Sequence, residues 1–301
     1  MKQSRRMVIR QMPVFGLTAF LAGRQTARAS LLPTSPAPLP PSLCSRIICI
    51  GGTITEILYA LGASEKIIGV DSTSLYPPQA LKDKADIGYM RQVSPEGVLS
   101  LDPRLILAMQ DAGPAASLRQ LAQSPVPLIY VDATASPQAV ISRVQFLGAL
   151  LGLTAQSQAL CGQIRQGFEQ LAAFRARQAA HPRVMFVLMT EGNQAMIGGK
   201  GTASDAIISL AGGVNAAAGL QGYKMVGAES IIRMAPEVIL TMQNAGQPVP
   251  ANLLQMPGFI NSPAAARQAR VEMDGELLLG FGPRTAQAGL LLAQKLRTFS
   301  A

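Results

Sequence analysis

The chain has 301 residues, 49% apolar and 14% charged, with a formal net charge of +9 at neutral pH. That composition can bury sizeable cores and excludes a disordered chain, and the length suits two domains. The charge does not point to nucleic acid, because six basic residues and no acids lie in residues 1–29, and the remaining 20 basic and 17 acidic residues leave only +3 with no basic run.

Residues 1–29 read as an export signal. Lys2, Arg5, Arg6 and Arg10 precede a short apolar stretch from Met12 to Ala22, and Ala27-Arg28-Ala29 is an A-x-A cleavage pattern that predicts a periplasmic mature chain from Ser30. Ser4-Arg5-Arg6-Met7-Val8-Ile9-Arg10 resembles the twin-arginine export motif, and an ordinary secretory signal carrying two arginines fits as well. The apolar stretch is shorter than the roughly 20 residues a spanning helix needs, so the mature chain is expected not to cross a membrane. Residues 30–44 are proline-rich and read as an extended tether without a core of its own.

The next segment, residues 45–135, alternates strands with helices. Arg46 to Ile50 is a β-branched apolar run ending in Gly51-Gly52. Thr53 to Leu61 has helical spacing and is closed by Gly62 as C-cap, and Ile67 to Val70 is a second strand. A polar turn containing Tyr76-Pro77-Pro78 follows, then Gly88-Tyr89-Met90-Arg91, a helix from about Ser94, and strands at Leu105–Met109 and Pro127–Val131. This order predicts a mainly parallel sheet covered on both faces. Residues 136–180 carry apolar residues at helical spacing, among them Val140, Val144, Leu147, Leu160, Ile164 and Leu171. They read as one long connecting helix of about 60 Å at 1.5 Å per residue, weakened locally by Gly148 and Gly152. Residues 181–301 open with another strand run, Arg183 to Met189.

An internal repeat ties the two segments together. SPEGVLSLDPRLILAMQDAG (94–113) aligns with GAESIIRMAPEVILTMQNAG (227–246), 133 residues on, so that Glu96 falls on Glu229, Pro103 on Pro236 and Met109-Gln110 on Met242-Gln243. Two related lobes follow from matches of that density. Cys44, Cys49 and Cys161 lack the spacing of a disulfide framework or a metal set and read as structural thiols.

Motifs for catalysis are missing: there is no G-x-S-x-G elbow, Walker lysine or G-x-G-x-x-G turn after the first strand. The one histidine, His181, precedes Pro182 at the helix exit and reads as a surface residue, which leaves no Ser-His-Asp or Cys-His arrangement. An α/β enzyme is therefore the weaker alternative, and no catalytic cofactor is expected.

The ordered set TEILYALG, GVDSTSLYPPQA, IGYMRQVSPEGVLSLDPRLILA, IGGKGTASDAIISLAGGVNAA, GYKMVGAESIIRMAPEVIL and LLGFGPRT resembles the haem-binding periplasmic proteins of bacterial ABC importers, over about residues 45–299. These stand within the wider class of vitamin B12 and ferric-siderophore binding proteins. The resemblance implies a class III periplasmic binding protein: two Rossmann-like α/β lobes with mainly parallel sheets, joined by one long helix. It also implies a monomer that takes haem as transported ligand and passes it to an inner-membrane permease dimer driven by a cytoplasmic ATPase. A ferric siderophore or corrinoid is the alternative ligand.

In that family a tyrosine in a D-x-T-S-x-Y-P turn supplies a phenolate to ferric haem, and the resemblance puts Tyr76 in that role. Arg91 is then a cation for the phenolate or a propionate partner, with Tyr89 beside it. Lys200, in Gly198-Gly199-Lys200-Gly201-Thr202, is expected to bring an ammonium and backbone amides to propionates, and Arg284 to be a rim cation or a structural ion pair. Some members add a histidine after the first strand of the second lobe, where this chain has Thr190-Glu191. Met90 and Met196 are within the range of residues that can approach an iron, although core packing explains methionines equally. Glu96 and Glu229 sit near helix starts, where capping alone accounts for one such residue. The resemblance makes the pair the contacts offered to permease arginines, and Glu56 reads as a helix-start glutamate only.

Overall fold

The computed structural model describes residues 36–243 and 249–299. The expected export signal and the first residues of the tether lie outside them. The tether's end is not free of the core. The Leu39 amide donates to the Leu150 carbonyl, Leu39 packs on the core, and Cys44 is buried in the turn Leu43–Ser45. Apolar side chains between the prolines have found the lobe surface, which corrects the expectation of a segment standing off from it.

The first lobe holds β1 (Ile47–Ile50), α1 (Gly52–Ala60), β2 (Ile67–Val70), α2 (Ala80–Asp83), β3 (Ala85–Asp86), α3 (Pro95–Leu99), β4 (Leu105–Met109), α4 (Ala115–Ala122) and β5 (Leu128–Val131). The strands lie parallel in the order β3-β2-β1-β4-β5. Every residue of β1 and β4 is buried, as the apolar runs require of central strands covered on both faces. Ile47 and Cys49 enter one core and Ile48 and Ile50 another, the alternation expected of a pleated strand. Strand order reverses between β1 and β4. In such sheets the ligand crevice lies beyond the carboxyl ends of the strands at that point.

The connector is two helices, not one. α5 (Pro137–Leu150) ends at Leu151, Gly152 takes φ +70°, and α6 (Thr154–Arg175) turns back to pack on α5. The left-handed conformation, which glycine adopts without a Cβ penalty, stops the helix. The strut into the second lobe is thus the 22 residues of α6, about 33 Å rather than 60 Å.

The second lobe comprises β6 (Arg183–Glu191), β7 (Gln194–Gly198), α7 (Ala203–Leu210), β8 (Val214–Asn215), β9 (Tyr223–Gly227), α8 (Ala228–Met234), β10 (Val238–Gln243), α9 (Pro263–Ala266), β11 (Arg270–Asp274), α10 (Gly275–Leu279) and α11 (Thr285–Arg297). Its order is β11-β10-β6-β7-β9, with β8 beside β6. β11, β10, β6 and β8 are parallel, as expected, but β6-β7-β9 is antiparallel, so this sheet is mixed. The tight turn at Gly192, φ +55°, makes the hairpin.

The repeat is visible in the backbone. Asp102 and Ala235, at equivalent positions after α3 and α8, both take positive φ, +48° and +43°. The Arg46 guanidinium donates to the Leu101 carbonyl and that of Arg183 to the Met234 carbonyl, again at equivalent positions. One continuous core cluster includes residues of both sheets and of α5, α6 and α11.

Candidate functional site

Loops after β1, β2 and β4 meet at the carboxyl edge of the first sheet. Asp71, the residue after β2, is fully buried. Its carboxylate accepts from the Gly51 amide (2.6 Å), the Thr73 amide (3.0 Å) and the Thr73 hydroxyl (2.6 Å), while the Thr73 hydroxyl accepts from the Gly52 amide (3.0 Å). Burial pushes the Asp71 pKa up, and the donors from Thr73 and Gly51 hold it back. Ser74 shares a 2.8 Å hydrogen bond with Thr55 of α1. Three of the four residues 71–74 are thus tied to the start of α1, and the turn delivers Tyr76 with 41% of its surface exposed.

The second lobe reaches this turn through the loop 280–284. The Arg284 guanidinium lies 3.5 Å from the centroid of the Tyr76 ring, a cation–π contact, and donates to Glu56 at 2.9 and 3.2 Å. Arg284 is therefore an ion-pair partner, one of the two roles expected of it, and it also covers the candidate ligand. Glu56 is corrected: it lies mid-helix on α1, 5% exposed, as the buried half of that pair. Removing one partner of such a pair costs about 3–5 kcal/mol, because the other charge is left buried. Gly52 has no room for a Cβ, since the Thr73 carbonyl and a Glu276 carboxylate oxygen stand against it. Both Glu276 oxygens are buried and make no ion pair or side-chain hydrogen bond, with only the Tyr76 backbone amide acting on the carboxylate as a donor. Burial first and the neighbouring Glu56 second push its pKa up to about 8, against the opposing pull of Arg284.

Two lobes bearing on one polar turn at a sheet's carboxyl edge is a ligand-binding arrangement. The family model described as periplasmic binding protein matches residues 47–277. The chain belongs to the periplasmic binding protein family. Among solved structures, this binding protein is similar to the periplasmic heme-binding protein RhuT from Roseiflexus sp. RS-1 in apo form, with 33% identity over 85% of this chain and 99% of that one, and a TM-score of 0.80. The periplasmic heme-binding protein BhuT in complex with two hemes gives 35% identity over the same shares and a TM-score of 0.79. Among curated relatives, the vitamin B12-binding protein of Pectobacterium atrosepticum is 29% identical over 65% of this chain and 70% of its own length. The class III fold expected of the binding protein holds, with one parallel and one mixed sheet.

The remaining expected residues of the binding protein are spread over both lobes. Arg91 pairs with Asp111 at 2.7 Å, both half-exposed, and Tyr89 is exposed beside it. Lys200 is exposed, but the backbone amides of its glycine turn are already used: Gly199 donates to Gly222, Lys200 to Leu220, and Gly201 to the Asp205 carboxylate. Those amides offer nothing to an anion, which corrects that part of the expectation and leaves the ammonium alone. Met90 sulfur takes a long contact from the Thr73 hydroxyl, Met196 sits in the β7–β9 pairing, and His181 is exposed with Nδ1 2.8 Å from the Gly212 carbonyl. Glu96 and Glu229 occupy the second positions of α3 and α8, exposed, with no ion pair among the described residues; the cap of α3 is Ser94, not Glu96. Cys44, Cys49 and Cys161 are buried and unpaired.

Three residues escaped the sequence reading. Tyr223 on β9 leaves ring surface exposed and turns its hydroxyl in against Ser204 and Thr202. Burial of that end pushes its pKa up, while Arg91 of the first lobe acts on it from across the interface. Glu276 gave no local signal. Arg143 did, as a lone charge between Ile141 and Val144 on an apolar helix face.

Proposed function

We propose that this binding protein captures haem, as ferric protoporphyrin, between its lobes in the periplasm and delivers it to an ABC permease. The observation that carries this reading is Tyr76: an exposed phenol on a turn locked from below, with a guanidinium on its ring. A phenolate is a hard anionic ligand suited to ferric iron, whereas iron already chelated by a siderophore needs no protein ligand. Arg91, Lys200 and the face of Tyr223 are the groups this reading turns toward propionates and ring. No bond chemistry is required of the chain: capture, retention and handover are binding steps. The names of the curated relatives favour a corrinoid as the second reading.

The test is an absorbance titration of the mature chain with hemin and, in parallel, with cyanocobalamin. A saturable one-to-one ferric spectrum with phenolate-to-iron character is expected, with affinity lowered about tenfold or more in Tyr76→Phe. Saturable cyanocobalamin binding without saturable hemin binding transfers the assignment to the corrinoid. Hemin binding that Tyr76→Phe leaves unchanged in affinity and spectrum removes Tyr76 from the iron.

A further inference from the structure

We propose that Arg143 is a positioning residue for the haem site: it clamps the loop 280–284 of the second lobe at the position where Arg284 covers Tyr76. The role assigned to Tyr76 comes from the proposed function; the clamp itself stands on geometry.

Arg143 is 2% exposed on α5, and no carboxylate lies within ion-pairing distance of it among the described residues. A buried guanidinium without a counter-ion persists only where its protons are matched by good acceptors. Two carbonyls match the two Nη groups, while Nε is buried without a partner: Nη1 donates to the Asp132 carbonyl at 2.7 Å, just beyond β5, and Nη2 donates to the Phe281 carbonyl at 2.8 Å, in the second lobe. The side chain is thus a bridge from the connector to the loop after β5 and to the second lobe.

Phe281 shows what the bridge holds. It takes φ +51°, a conformation that non-glycine residues rarely adopt, and its side chain is 2% exposed. In that conformation the carbonyl meets Arg143 while the ring stays in the core. Gly282 follows, packed so closely that a Cβ would stand 2.9 Å from Glu56 Oε2. Two residues on, Arg284 gives both its amide and its guanidinium to Glu56 and lays the guanidinium on Tyr76. Thr53 adds a hydrogen bond to the Gly280 carbonyl. Gly280, Phe281 and Arg284 are therefore each hydrogen-bonded to the first lobe or to the connector, and Gly282 is packed against the first lobe between them. Of the side chains that grip this loop, Arg143 is the one that comes from the connector helix α5. Lysine cannot reproduce the grip, because one ammonium lacks the guanidinium fork that reaches two separated carbonyls.

The experiment measures amide hydrogen exchange by mass spectrometry on the haem-free mature chain, alongside hemin titrations, for wild type, Arg143→Lys, Arg143→Met and Gly282→Ala. The expected result for Arg143→Lys is exchange faster by about fivefold or more in peptides covering 280–285 and 74–79, with β4 and β10 unchanged. Hemin affinity is expected to fall several-fold and the phenolate band to shift. Gly282→Ala, which disturbs Glu56 and leaves Arg143 in place, is expected to loosen 74–79 as well, and the two changes combined to be non-additive. If Arg143→Met fails to fold, the lysine and Gly282→Ala variants still decide the matter. Unchanged exchange at 280–285 and 74–79 in Arg143→Lys, or loosening spread evenly over the chain, overturns the clamp. If wild type takes no hemin while both segments loosen, the clamp stands and the haem reading falls. If hemin binds through Tyr76 and Arg143→Lys changes neither exchange nor spectrum, only the clamp falls.

Discussion

Around Tyr76 the chemistry is decided by single side chains whose environments differ sharply within a few ångströms. Glu56 is buried yet paired with Arg284, whereas the carboxyl oxygens of Glu276 are buried without a side-chain partner. Burial raises the Glu276 pKa to about 8, so the folded protein keeps this carboxyl protonated at neutral pH while the unfolded chain ionises it above its ordinary value of 4.5. The native state then binds more protons than the unfolded one between those two values. Stability is full below about pH 4.5 and falls as pH rises toward 8, by up to about 1.4 kcal/mol per pH unit from this one group. Glu276→Gln should remove that slope, which urea unfolding at pH 5.5 and pH 8 measures on both proteins. Parallel pH profiles for the two would mean the carboxyl is ionised and solvated in the fold. The polar turn that carries Tyr76 was legible from sequence because it is local: Asp71, Thr73 and Ser74 lie within five residues of Tyr76, whose role was suggested by the resemblance alone. Glu56 and Glu276 were not legible as neighbours, since 220 residues separate them and only the contact between the lobes brings them together.

Helices and strands show the same division between local signals and packing. Four of the first lobe's five strands fall where their apolar runs placed them, because a buried parallel strand leaves a continuous apolar run, whereas the two-residue edge strand β3 carries no such run. The connector did not, although Gly148 and Gly152 were visible within it. Glycine in a helix interior costs only about 1 kcal/mol and is often tolerated; here the left-handed turn at Gly152 ends the helix, and the packing of α6 back on α5 goes with that turn. That packing makes a prediction. Gly148 faces Ser157 of α6 with no space for a Cβ, so Gly148→Val should force the two helices apart and destabilise the fold by about 2–3 kcal/mol. Gly152→Ala meets no neighbour and pays only the left-handed backbone, about 1–2 kcal/mol. Chemical denaturation of both variants checks the ranking, and equal losses would show that the turn, not the interhelix contact, ends α5. The antiparallel β6-β7-β9 hairpin was missed for a related reason: Gly192 marks a turn, and a turn alone does not say whether the next strand returns beside its predecessor or crosses over.

Seen whole, the molecule is a duplication whose two copies have diverged on one flank and stayed alike on the other. β1 and β6 share a parallel neighbour, β4 or β10, reached from α3 or α8, and on their other side one lobe has parallel β2 and the other a two-residue parallel β8 followed by antiparallel β7. What stayed alike carries Glu96 and Glu229, each at the second position of its helix and each exposed. Capping does not account for the pair, because Ser94 already caps α3 and no side chain caps α8. A surface carboxylate left unpaired at equivalent points of two lobes fits a partner that is itself two-fold, as a permease dimer is. Exposed charge pairs are worth up to about 1 kcal/mol each and act strongly on association. Glu96→Arg and Glu229→Arg should therefore each weaken binding of the loaded protein to its reconstituted permease several-fold at low salt. The double variant should multiply the losses, since the sites share no partner, and hemin titrations should remain at wild-type values throughout. Salt should erase the difference between wild type and variants. If both reversals leave permease binding intact, the matching helix starts serve the fold of each lobe and docking must be sought on another surface.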